Sequence, residues 1–90
     1  MSLPLLRKQL QMLDDSLLFL LSQRRRIVEQ VAKEKQPLNL PALNPHVAHE
    51  KEIRLLETGL ELGLSADLVQ KVWHVIHEDS VNMQREIFKT

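Results

Sequence analysis

The sequence predicts an all-α chain of three helices, one long, one short and one of medium length. Three observations predict it. Apolar residues recur at steps of three and four over most of the chain. No window sustains the alternation of a strand. Only two glycines, Gly59 and Gly63, and four prolines interrupt the 90 residues.

The first helix spans Pro4 to Lys35. Its apolar face is Leu6, Leu10, Leu13, Leu17, Leu20, Leu21, Ile27, Val28 and Val31. Pro4 suits the first turn, where a missing N–H costs nothing. Such a helix is ~48 Å long at a rise of ~1.5 Å per residue, more than the ~30 Å diameter of a small domain. Part of it must project beyond the cover its own chain can offer. A second copy of the chain is the simplest cover.

"QPLNLPALNP", Gln36 to Pro45, holds three prolines in ten residues and reads as an ordered or extended loop. A second helix follows over about residues 46–62, with Ile53, Leu56 and Leu60 as its stripe. In "GLSADL", Gly63 ends that helix and Ser65 caps the next, with Asp67 in its first turn. The third helix runs over about residues 66–88. Val69, Val72, Ile76, Met83 and Ile87 form its stripe.

The whole chain, residues 1–90, makes one domain. It is 43% hydrophobic and 27% charged, which suits a folded protein rather than a disordered one. Twelve basic and twelve acidic residues balance, so composition offers no support for a nucleic-acid partner. There is no cysteine, hence no disulfide, thiol nucleophile or thiolate metal site. No apolar run is long enough for a membrane span, and the N-terminus lacks a signal-peptide layout. A cytoplasmic protein is the default expectation.

Two cations break the first helix's apolar face. Arg24 falls in the seam between Leu21 and Ile27, and Lys35 takes the slot after Val31. Eleven residues separate them, three turns plus about 20°, so both point the same way roughly 16 Å apart. Lys35, at the helix end, can keep its stem packed and its head in water. An inward Arg24 needs an anion, because a buried unpaired charge is very costly. A protein carboxylate and a bound anion are both open. On the third helix Trp73, His77, Ser80 and Gln84 make a second stripe beside the apolar one. Either Ser80 or Gln84 alone would be an ordinary polar flank. Beside an inward arginine they suit the wall of a polar pocket between helices.

Other features read as structural. His46/His49 and His74/His77 are i, i+3 pairs without a recognised metal signature, and surface or capping roles are expected. The arginines of "QRRRIVEQ" lie among acidic neighbours and read as a solvated face. Glu29 and Lys33 form a helix-stabilising i, i+4 pair. Trp73 reads as a core or interface anchor.

"LRKQLQMLDDSLLFLLSQRRRIVEQVAKEK", a proline-bearing loop and "GLSADLVQKVWHVIHEDSVNMQ" together resemble the all-helical class of chorismate mutase. The likeness extends to stand-alone members and to those fused to prephenate dehydratase or dehydrogenase. It covers nearly the whole chain and is weakest between Asn44 and Glu52. The resemblance implies an intertwined homodimer with its long first helices paired, no cofactor and no metal. It implies a pocket for a small dianion, chorismate, with Arg24 and Lys35 as in-chain cations and Ser80 and Gln84 on the third helix. Arg7 matches the arginine that crosses from the partner chain. Lys35 and Gln84 would donate hydrogen bonds to the substrate's ether oxygen, and Arg24 would bind a carboxylate.

One departure stands out. The family usually carries an Arg-Glu pair at the start of the second helix. An ungapped alignment puts Val47 and Ala48 there, with Asn44 in place of a loop aspartate. A four-residue shift gives Lys51 and Glu52 instead and keeps Ile53 and Leu56 on the apolar face. It requires a longer loop and a second helix shortened by one turn. The shifted pairing is the expectation, because it preserves both charges and the helix face. Under the ungapped one the pocket lacks a cation and a carboxylate, with weak, altered or absent activity.

Three function classes follow: a mutase making prephenate, a related lyase acting on isochorismate, and a non-catalytic helical interaction module. Gln84 and "EDS" favour the mutase.

Overall fold

The computed structural model describes residues 2–89. Three helices follow one another: α1 (Leu3–Lys35), α2 (Pro45–Glu61) and α3 (Ala66–Phe88). The described residues contain no strand. Their longest dimension is 54 Å, set by α1.

Each helix begins on a side-chain cap. Ser2 accepts from the Leu5 N–H at 3.4 Å, Asn44 from Val47 at 3.2 Å and Ser65 from Leu68 at 3.1 Å. Pro4 and Pro45 sit in first turns, where their rings fit. Lys33 and Lys35 place positive charge on the last turn of α1. Gly63 takes φ +79° just past α2, the left-handed position that favours glycine.

The proline-rich connection is more ordered than an extended loop. Gln36–Leu38 form one 3₁₀ turn, with Pro37 near its start, and Asn39 ends it at φ 56°. Proline tolerates such a turn because no N–H is required of it there.

α3 packs against the second half of α1 on one side and against α2 on the other. Val28 and Ala32 of α1 and Trp73 and Val81 of α3 make the apolar core. At Gly59 the backbone of α2 comes so near α3 that an added Cβ would lie 2.5 Å from Val69 Cγ2. This contact turns α2 from its expected orientation. Leu55, Leu56 and Gly59 face inward, while Ile53 and Leu60 of the expected stripe are exposed. The first half of α1 has no such neighbour: Leu13 is 62% and Leu17 60% exposed, against 0% for Ala32.

No helix among the described residues is long and apolar enough to cross a membrane.

Candidate active site

A cavity of about 200 Å³ opens where α1, the connecting loop, α2 and α3 meet. Arg24, Val28, Val31 and Lys35 line it from α1. Trp73, His77, Ser80, Val81 and Gln84 face it from α3. Thus the two charged interruptions of the α1 stripe and the polar stripe of α3 share one space.

Arg24 is half-buried and donates from Nη1 to Ser80 Oγ. Ser80 in turn donates to the Ile76 carbonyl at 2.9 Å, so its lone pairs are aimed at the guanidinium. Asp79, the nearest acid, instead bonds Arg25 at 3.2 Å outside the cavity. Burial pulls the Arg24 guanidinium below its ordinary pKa, and the Asp79 charge opposes this. Arg24 therefore meets a neutral hydroxyl where an anion would be worth more.

Lys35 donates to Gln84 Oε1 at 2.9 Å and to the Ala42 carbonyl at 3.1 Å. An ammonium has three protons, so one donor is left for the cavity. Because Gln84 accepts through its oxygen, its amide N–H₂ remains a donor. Both Ser80 and Gln84 are 6% exposed, and no buried side-chain polar atom among the described residues lacks a partner. Burial lowers the Lys35 pKa first, and the Lys51 charge lowers it further.

On α2, Val47, Ala48 and Lys51 all line the cavity. The helix starts at Pro45 and is not shortened by a turn. Both candidate registers therefore present residues to the cavity: two small apolar groups from the first turn and a cation from the second. Glu52 is half-buried but is not a lining residue. Asn44 lines the cavity while also capping α2. Arg7 lies elsewhere, exposed, 17 residues before Arg24 and so ~25 Å up the same helix.

His77 departs from the expectation of a surface or capping histidine. It lines the cavity, half-buried, and stacks on Trp73 with ring centroids 5.0 Å apart. Trp73 is both a buried core residue and part of the wall. The signal for His77 was its place between Trp73 and Ser80 in the polar stripe. His46 behaves as expected, exposed and 3.0 Å from Glu50.

Arg24, Lys35 and Lys51 thus converge on one cavity that no carboxylate lines among the described residues. The cavity is cationic and lies between the helices of an all-helical chain. The sequence matches the family described as chorismate mutase type II over residues 6–85, and the chain belongs to that family. No curated protein and no solved structure gives a significant match.

Proposed function

We propose that the protein is a chorismate mutase, an isomerase that rearranges chorismate to prephenate in aromatic amino-acid synthesis, acting in the cytoplasm as an intertwined homodimer. One observation carries the reading: three cations line a cavity whose wall, among the described residues, holds no carboxylate.

The reaction breaks a C–O bond as a C–C bond forms within one molecule. It requires no proton transfer, covalent intermediate or metal. The protein has two tasks. It must hold a flexible dianion in its compact reactive shape. It must also stabilise negative charge growing on the ether oxygen. Arg24, aimed by Ser80, binds one carboxylate through paired N–H groups. The partner subunit's Arg7 binds the other, entering from a neighbouring first helix. Lys51 adds positive potential from α2. The remaining Lys35 proton and the Gln84 N–H₂ point at the ether oxygen. Gln84 needs no protonation to donate.

The test follows chorismate loss by absorbance and identifies the product. Prephenate is expected. Pyruvate release would mark a lyase. No turnover by folded, dimeric protein would overturn the enzyme reading and leave an interaction module. Mixing inactive Arg7→Ala and Arg24→Ala chains should restore part of the activity, since one hybrid site keeps both arginines. Failure after confirmed subunit exchange would remove Arg7 from the site.

A further inference from the structure

The Trp73 ring holds the His77 imidazole against the cavity, and no hydrogen bond from another described residue engages its nitrogens. Charged and titratable groups act on it from three helices. Arg24 comes from α1, Lys51 and Glu52 from α2, and His74 from α3. We propose that His77 is a proton-linked anion-binding residue: neutral in the empty cavity, it takes up one proton as a doubly negative ligand enters and donates a hydrogen bond to it. This rests on the reading of the cavity as a dianion site.

The electrostatics agree with the placement. Burial lowers the His77 pKa most, then Arg24, Lys51 and His74 lower it further, with Glu52 alone opposing. The empty site therefore rejects a fourth positive charge. A dianion reverses the local field, because two negative charges now offset Arg24 and Lys51. The imidazolium then becomes the favoured form, and its N–H is a charge-assisted donor. By linkage, a ligand that raises the histidine pKa binds more tightly as pH falls through that histidine's titration. Affinity for the dianion should rise toward acid while the ligand itself stays fully ionised.

The test titrates the His77 ring by NMR, with His77→Gln to assign the signal, in the free protein and with saturating prephenate or sulfate. Sulfate does not change charge in this range. The midpoint is expected to rise with either anion. Calorimetry in buffers of differing protonation enthalpy should show proton uptake that His77→Gln abolishes. The substrate KM should rise about threefold or more between about pH 6 and about pH 8, with kcat nearly flat, and lose that dependence in His77→Gln. A midpoint unmoved by bound prephenate overturns the proposal and leaves the mutase reading standing. A midpoint raised by sulfate in a protein that neither binds nor makes prephenate sustains the proposal and removes the mutase reading. A midpoint moved by neither anion overturns the proposal.

Discussion

Leu13 and Leu17, in the first half of α1, belong to the same apolar stripe as Val28 in the second, yet their surroundings differ. The second half lies against α3, where Val28 and Ala32 are buried and Arg24 and Lys35 reach Ser80 and Gln84. The first half carries exposed leucines on the face that continues the seam. One helix therefore performs two tasks. Its second half builds the cavity within the chain, and its first half leaves uncovered the apolar face that the proposed dimer would bury. A contiguous apolar face of this length is not left to water in a stable protein. Within the cavity no carboxylate lines the wall among the described residues. Arg24 and Lys35 are positioned by neutral hydroxyl, amide and carbonyl groups, so no protein carboxylate in the cavity wall offsets their charge.

Placing a charge in each half gives the largest contrast. Leu13→Glu combined with Leu17→Glu should turn the proposed dimer into monomers, each charge buried in its interface costing several kcal/mol, about 3 or more. Sedimentation at several concentrations reads this. An unchanged dimer would show that the first half is not the interface. In the second half, Arg24→Ala should leave the oligomeric state unchanged and lower kcat/KM by roughly 30- to 1,000-fold, about 2–4 kcal/mol of transition-state stabilisation. Steady-state kinetics on folded protein decides it, and a change under threefold would separate Arg24 from catalysis. Smaller still, Gly59→Val should cost about 1–3 kcal/mol by forcing a branched side chain against Val69. Thermal unfolding measures that loss. A neutral result would mean that α2 and α3 can part slightly without harm.

Much of this was legible in the residues. The spacing of leucines predicted α1 to within a residue, and Gly63 with Ser65 marked the α2–α3 junction because each meets a local backbone need. Arg24 and Lys35 were visible as charges in an apolar row. The face of α2 was not, since its closest approach to α3 is made by a glycine, which carries no hydrophobic signal. The 3₁₀ turn hid behind Pro37, whose general effect is to break helices. His77 was visible in its stripe, but its electrostatic surroundings come from Arg24, Lys51 and Glu52 on two other helices. Spacing within one helix cannot report that. At the start of α2 the two registers were not alternatives in space, because Val47 and Lys51 lie one turn apart and line the same cavity.

Lys35 ends α1, and its ammonium ties the carbonyl of Ala42 to the amide of Gln84. The strap between the first two helices is thereby fastened to the third by a group that also touches the cavity. An occupant accepting the remaining proton would give the ammonium a third partner and so hold strap, third helix and ligand through one group. Slower amide exchange across residues 36–44 on filling the cavity would be its trace. Ordering of that strap would then count among the costs of capture, and loosening it among the steps of release.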